Sequence, residues 1–494
     1  MYRKKILHIL EGGFFMVTFL IGLILLFVGA ALYGKFCEKM FGPDDRKTPA
    51  IAKEDGVDYV PMPKWKNCLI QLLNIAGTGP ILGPIQGILF GPIAFILIPI
   101  GCVFGGAVHD YFAGMISIRE GGLQMPGLVQ KYLGKNVYRF YHAFLCLLLL
   151  LVVAVFVTTP GDLCATQLFN LKDVSIHNPV IWIIYGVIFA YYIIATLFPI
   201  DRIIGKIYPI FGGILLLSAV GIFFGLFIKG YSLTNLSLSN WKGIYPDGTP
   251  LLPIFFVTVA CGIVSGFHST QSTLIGRSVK AEKEGRDTFY NMMILEGFIA
   301  MIWAAAAMGA MNLYEEANGL SAVGMVGFVA KDMLGSVGGM IAIIGVIVLP
   351  ISTGDTALRS LRLIIADLFK LDQSKAKNRL ALSLGISAIV IVILLFSKLN
   401  ASGFNILWRY FSWSNQAISI FAFAIISVYL FRAKKPFVIA MIPGAFYAFI
   451  ISTYIINAKI GFHVPLNISY VLGVVFAVLY CVFILFTAKK KQVD

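Results

Sequence analysis

Charge is scarce in this chain. Of 494 residues, 13% are Asp, Glu, Lys or Arg and 59% are hydrophobic, and a soluble chain of this length has no interior able to hide so much apolar surface. Cysteine is scarce too. The seven cysteines (Cys37, Cys68, Cys102, Cys146, Cys164, Cys261 and Cys481) form no C-x-x-C pair, which excludes zinc-ribbon and dithiol redox chemistry and leaves small packing residues. The chain contains no P-loop, no H-E-x-x-H and no G-x-S-x-G. Its loops are too short for a nucleotide-binding domain, so an ATP-driven pump is excluded. No catalytic residue, metal ligand or organic cofactor is expected. The net charge of +15 does not point to nucleic acid, because the basic residues flank apolar runs, where they anchor and orient helices.

What is abundant is apolar sequence in lengths that cross a bilayer. The pattern predicts an all-α polytopic membrane protein with about thirteen transmembrane helices. An extra helix occupies 1–34 and a cytoplasmic loop 35–65. A first set of five spans covers 66–229, an outer loop 230–249, and a second set of five 250–431. Two further helices and a basic tail fill 432–494. The apolar run Phe14–Leu32 is too long for a signal-peptide core and lacks a small-x-small cleavage site, so it reads as a retained helix. Lys and Arg outside the spans fall mainly in one alternate set of loops, which puts the C-terminus in the cytoplasm and the N-terminus outside. Arg3, Lys4 and Lys5 run against that bias.

Two of the predicted spans are interrupted. "NIAGTGPILGP" (Asn74–Pro84) crowds Gly and Pro into the second span, and "ACGIVSGFHSTQS" (Ala260–Ser272) does the same, with polar side chains, in the seventh. Each would open one of the five-span sets. Two such sets of opposite topology, each with a discontinuous first helix, are the sequence sign of an inverted-repeat transporter. Backbone that leaves the helix at membrane depth is tolerated only inside protein or beside a polar cavity, where freed N–H and C=O groups can hold a solute. The substrate-binding candidates are therefore Gly77, Thr78, Gly79 and Gly83 in the first break, and Gly262, Ser265, Gly266, His268, Ser269 and Gln271 in the second. The competing reading makes the glycines packing residues that let helices approach closely.

Residues 74–122, "NIAGTGPILGPIQGILFGPIAFILIPIGCVFGGAVHDYFAGMISIREGG", resemble the signature of the carbon starvation protein A family. So do "TVACGIVSGFHSTQSTLIGRSVKAEKEGR" (258–286), "DTALRSLRLIIADLF" (355–369) and "WSNQAISIF" (413–421). One position departs: His109 stands where the family commonly carries Gln. The resemblance implies a core of two inverted five-helix repeats, as in the amino acid–polyamine–organocation superfamily, in a bacterial inner-membrane protein. It also implies uptake of peptides or of pyruvate with protons under nutrient starvation. In that superfamily the third helix of the second repeat helps hold sodium, which would concern Ser352, Thr353 and Thr356.

Ionisable groups inside apolar spans are costly and face a bundle interior. Asp110, in "GGAVHDYF", is the first candidate proton carrier, with pairing to Arg119 as the bland alternative. His109 adjoins it and, at i,i+1, is not expected to share its helix face. Glu296, a lone acid in "NMMILEGFIAMIW", is a second carrier or a partner of Arg359 or Arg362. Asp355 and Arg359 have i,i+4 spacing for an ion pair, with Arg362 one turn on. Asp162 reads as a boundary turn. Asn415 and Gln416, in "WSNQAIS", would gate the cavity or bond between helices. The expected activity is secondary active uptake of a small carboxylate or a peptide across the bilayer, coupled to protons, with sodium as the other candidate ion. A nutrient sensor or channel without coupled transport is the alternative, and an intramembrane enzyme pairing Asp110 with His268 is a third.

Overall fold

The computed structural model describes residues 16–490, apart from 57, 198–203, 244, 246–247, 374, 401 and 460. Arg3, Lys4 and Lys5, and with them the placement of the N-terminus, lie outside the described residues.

The described chain is all-α. In order its main helices are α1 (Val17–Phe41), α2 (Lys64–Ile75), α3 (Gly79–Gly87), α4 (Ala94–Gly101), α5 (Ala107–Arg119), α6 (Met125–Leu133), α7 (Lys135–Leu163), α8 (Pro179–Leu197) and α9 (Ile204–Ile228). After these come α10 (Leu251–Val259), α11 (Gly266–Ile275), α12 (Asn291–Leu313), α13 (Ala322–Leu368), α14 (Ala376–Leu399), α15 (Gly403–Arg432), α16 (Val438–Asn457) and α17 (Leu466–Lys489). Among the described residues, eleven helical stretches are long and apolar enough to cross a membrane, and the bent pair Lys64–Ile75 and Gly79–Phe90 makes up to twelve. The chain is a multi-pass membrane protein.

Several expectations are revised by local structure. The first helix does not stop at residue 34. It runs to Phe41, where Gly42 takes a left-handed conformation (φ 69°) and returns its N–H to Glu38 O, as glycine at a helix C-terminus does. The loop after it is correspondingly shorter and contains a helical turn, Pro49–Ala52. Met62 N bonds Ser278 O at 3.0 Å, which pins the end of this loop to the segment after α11. The long α13 is two helices joined at Gly335, whose φ of 72° is non-helical. Asp162 is not in a turn. It lies within α7, and its carboxylate takes both a Lys398 ammonium at 2.8 Å and the Tyr185 hydroxyl at 2.5 Å.

The helices sort into two compact units built from interleaved segments. One comprises Ala143–Leu233 and Ala305–Phe411; in it α8, α13 and α14 pack together and α9 lies along α13. The other comprises Phe15–His142, Thr234–Ala304 and Ser412–Asp494. There α5 packs on α11, α3 on α10, α2 on α11, and α16 on α17. Both interrupted spans belong to this second unit.

Candidate functional site

The first break falls where the sequence places it. After α2 the chain leaves the helix at Ala76 (φ −82°, ψ 58°) and re-enters one at Gly79, with Pro80 in the first turn of α3. The two helices meet at 49°. Proline fits that first turn because it has no N–H to leave unpaired. The second break runs from Ala260 to Ser265. Ala260–Gly262 is a tight turn, and Ile263 (φ −126°, ψ −62°) and Ser265 (φ −135°, ψ 127°) are non-helical.

The two breaks lie against each other, and glycines make that approach possible. A Cβ on Gly79 would fall 2.6 Å from Cys261 Sγ, and one on Gly83 would fall 2.9 Å from Val259 O and 3.0 Å from Thr258 O. From the other side, Gly105 faces Val264 and Gly106 faces Met293, each at 2.8 Å from the added carbon. Residues 258–264 therefore run through a slot walled by glycine faces of α3 and of the segment between α4 and α5. Gly262 is itself packed, on Ala300 at 2.9 Å, and Gly266 on Ile418 and Ser419 at 2.6 Å. These glycines are occupied by close packing, the competing reading of the sequence. Gly83→Val is expected to cost about 1–3 kcal/mol of stability through overpacking, read as a lowered melting temperature in detergent. An unchanged melting temperature would show that the slot has room to spare.

Side chains from three helices, α15, α11 and α2, hold the second break. Asn415 Oδ1 accepts from Phe267 N at 2.9 Å and from Ser265 Oγ at 3.0 Å, and its Nδ2 donates to Cys261 Sγ at 3.2 Å. It acts as the N-terminal cap of α11, supplied from α15. Gln416 Nε2 donates to Phe256 O at 2.6 Å. Ser269 Oγ donates to Gly266 O at 2.7 Å, and Gln271 Nε2 donates to Thr270 Oγ1 at 3.2 Å. Sequence reading passed over the α2 side of this arrangement. Gln71 Nε2 donates to Ser272 Oγ at 3.0 Å, and Asn67 exchanges hydrogen bonds with Ser278. The signal was present: Asn67, Gln71 and Asn74 form a polar stripe at i, i+4, i+7 in a helix that is otherwise apolar beyond its first turn. Gly77 and Thr78 sit at the first break, and the buried Thr78 hydroxyl makes no hydrogen bond.

Beside this slot four titratable side chains meet. Asp110 and His109 on α5, His268 on α11 and Glu296 on α12 are all 0–1% exposed. The segment Cys102–Gly106 ahead of α5 is a π-helical turn, a one-residue insertion that recurs at functional positions and resets the facing of the helix beyond it. His109 Nδ1 lies 2.8 Å from Asp110 Oδ1. That corrects the expectation that the neighbours point apart: Cβ directions a helical step apart still let a ring and a carboxylate fold toward each other. His268 bridges two acids, Nδ1 at 3.3 Å from Asp110 Oδ2 and Nε2 at 3.5 Å from Glu296 Oε2. Both contacts are within ion-pair reach but are not aligned as hydrogen bonds, and neither Glu296 oxygen makes one.

Arg119 pairs with Glu282 at 3.0 Å rather than with Asp110, and Glu296 faces His268. The resulting chain is acid–imidazole–acid with a second imidazole on one end. Burial favours a net-neutral set, so a proton that enters or leaves must be matched by another charge or by motion. Among the described residues, no three His, Cys, Asp or Glu side chains converge as a metal site.

The remaining candidates lie in the other unit. Asp355 Oδ2 is 3.9 Å from Arg359 Nη2, which also donates to Ala195 O at 2.8 Å. Ser352 and Thr353 hydroxyls both donate to Leu349 O, at 2.7 and 3.1 Å, and Thr356 donates to Ser352 O at 3.2 Å.

A membrane protein of Haemophilus influenzae described as uncharacterized is 44% identical over 334 residues, 59% of this chain and 88% of that one. The pyruvate/proton symporter BtsT of Escherichia coli is 25% identical over 320 residues, 53% of this chain and 44% of its own. The peptide transporter CstA of the same organism is 24% identical over 325 residues, 53% of this chain and 45% of its own. The chain thus spans less than half the length of those two transporters. A manganese transporter of Eremococcus coleocola has the same fold, with a TM-score of 0.54 over 88% of this chain and 98% of that one at 10% identity. The family profile described as carbon starvation protein CstA matches residues 14–166 and 158–340, a span that includes Asp110, His268 and Glu296; the chain belongs to the carbon starvation protein CstA family.

Proposed function

We propose that this chain is a proton-coupled transporter that takes up a small carboxylate of the pyruvate type, or a short peptide, across a bacterial inner membrane. One observation carries the reading: two acids and a histidine from three different helices meet in a fully buried chain beside an unwound span. Ionisable groups at such depth are costly and accompany proton relays, and His titrates in the range where a cell's proton gradient operates. The names of the two Escherichia coli relatives supply the substrate classes. In this reading the two breaks open two five-helix repeats of opposite topology, 66–229 and 250–431. The loops richest in Lys and Arg face the cytoplasm, as does the C-terminus. Asp110, His268 and Glu296 move the proton, the backbone around Thr78 and Ser265 meets the substrate, and Asn415 and Gln416 hold the second break in register.

The test is uptake by the full chain in proteoliposomes, with labelled pyruvate and labelled dipeptides, with and without an inward proton gradient. Accumulation of one of them that collapses when the gradient is dissipated is the expected result. If neither moves under a proton or a sodium gradient, the transport reading is wrong. Steady currents far above transporter turnover would replace it with a channel.

A further inference from the structure

A groove of about 390 Å³ runs along the surface of the unit that holds both breaks, between the start of α7, α15 and α17. Leu133 and Ala424 in its lining are buried, whereas Phe140 and Phe483 are 58% and 37% exposed, so it has a covered floor and an open aromatic rim. The walls are fixed. Tyr480 gives its hydroxyl to Ile420 O at 2.8 Å, and the ring centre of Phe421 lies 5.3 Å from that of Tyr141 and 6.2 Å from that of Phe140. A preformed apolar groove accepts a chain without first ordering the protein. The helices around it are long and apolar enough to cross a bilayer, and only 17% of the apolar window of α17 is buried. The groove therefore opens toward the acyl region of a membrane.

One end of the groove is basic. On α7, Arg139 is exposed one turn from Asn136, the amide of the lining. On α15 the row through Ile420 and Ala424 continues for two turns to Arg432. Arg432 donates to Thr487 O at 3.1 Å and to Lys490 O at 3.2 Å, and its guanidinium lies 5.9 Å from the ring centre of Tyr132. It thus stands where α15, α17 and the end of α6 come together. Glu120, the acid of this end, is taken by Lys131 and Tyr132. Residues 120–140, 429–436 and 486–494 carry nine Lys or Arg against Glu120 and Asp494, an excess that the tail acid cannot cancel. We propose that the groove binds one acidic phospholipid, with an acyl chain along Phe140, Phe421 and Phe483 and the phosphate at Arg432 and Arg139. An acyl chain needs apolar length, and a phosphate needs a guanidinium or an ammonium; the groove and its basic end offer the two in line. The site does not depend on the transport reading above.

The experiment uses the full chain, purified in detergent and stripped of lipid, and tracks its melting temperature against added lipid. Dioleoylphosphatidylglycerol is expected to raise the melting temperature saturably. Dioleoylphosphatidylcholine, which has the same chains and no net charge, should act about tenfold or more weakly. Dihexanoylphosphatidylglycerol, which has the headgroup and too little chain, should also be weaker by about tenfold or more. Palmitate, a single chain with a carboxylate, should fall between the two. Arg139→Gln, at an exposed position, should weaken the dioleoylphosphatidylglycerol response about fivefold. Lys283→Gln, exposed and on a loop away from the groove, should leave that response unchanged. Asn136→Trp sets a large ring over the groove from an exposed position and should weaken the response about tenfold or more, because the chain loses its seat. Equal responses to the glycerol and choline lipids overturn the proposal, as does a dihexanoyl lipid as effective as the dioleoyl one. Palmitate as effective as dioleoylphosphatidylglycerol makes the occupant a fatty acid and overturns it too. So does a full response in Arg139→Gln or Asn136→Trp, or a loss in Lys283→Gln as large as that in Arg139→Gln, which would reduce the effect to general surface charge.

Discussion

Glu296→Gln is expected to abolish proton-driven accumulation of substrate while preserving exchange of labelled for unlabelled substrate across the same membrane. Glutamine keeps the size of glutamate and can still meet the ring of His268, 3.5 Å from Glu296 Oε2, but it cannot take up and release a proton. A positioned acid–base group contributes roughly 10²–10⁴-fold to a proton-transfer step, so gradient-driven uptake should fall by about 10²-fold or more. Exchange needs no net proton movement and should stay within about threefold of wild type on the same argument. Asp110→Asn should also uncouple, but less cleanly. Asp110 faces both imidazoles, at 2.8 and 3.3 Å, and its loss disturbs the whole cluster. If Glu296→Gln still accumulates substrate in proportion to the pH gradient, the acid–imidazole–acid chain is not the coupling path.

The individual members of that chain were legible in the sequence because each is an ionisable residue where the surroundings are apolar, and such residues are few. Their meeting was not legible. Asp110, His268 and Glu296 come from three helices, and nothing in periodicity says which faces converge. The π turn at Cys102–Gly106, which resets the facing of Asp110, has no sequence marker beyond its glycines. The breaks were legible because Gly and Pro disrupt helices locally, whatever the tertiary context. What the glycines are for was left between two readings. Gly79, Gly83 and Gly262 fit backbone open to a solute or close packing, and they are pressed against Cys261, Val259 and Ala300. A missing Cβ serves close approach and ligand contact equally well, so sequence alone cannot separate the two. The interleaving of the two units was likewise invisible, since contiguous runs of spans suggest contiguous domains. Glu282 was passed over for a similar reason. In "KAEKEGR" it has the look of a solvated loop acid, yet it is fully buried.

That burial sets up the largest expected loss of stability, in Glu282→Ala. The Glu282 carboxylate takes two bonds from Arg119, Nε at 3.1 Å and Nη2 at 3.0 Å, and a third from the backbone N–H of Asp44 at 3.0 Å. Arg46 Nε stands 3.6 Å away. Arg119 in turn donates to Gly42 O at 2.6 Å, and its guanidinium lies 4.1 Å from the ring centre of Phe41. Arg46 bonds the exposed Asp44 through its side chain and its N–H and holds that carboxyl well below the usual range, so Asp44 stays ionised and occupied with Arg46. It is no substitute partner for Arg119, which it approaches only to 3.9 Å. Removing Glu282 therefore strands a guanidinium that is 14% exposed and leaves the Asp44 N–H without its acceptor. Breaking a buried pair from one side costs about 3–5 kcal/mol, against about 0–1 kcal/mol for an exposed pair such as Lys283 with Asp45, whose side chains are 64% and 87% exposed. Glu282→Ala should thus lower the melting temperature in detergent markedly, and Lys283→Ala hardly at all. Adding Arg119→Met to Glu282→Ala should recover part of the loss, with a coupling of about 1–3 kcal/mol, since the stranded charge leaves with it. The clasp ties the loop after α1 to the stretch joining α11 and α12, the two helices that carry His268 and Glu296. Losses that simply add in the double variant would mean that Glu282 and Arg119 stabilise the fold independently, and the clasp would then be a coincidence of position.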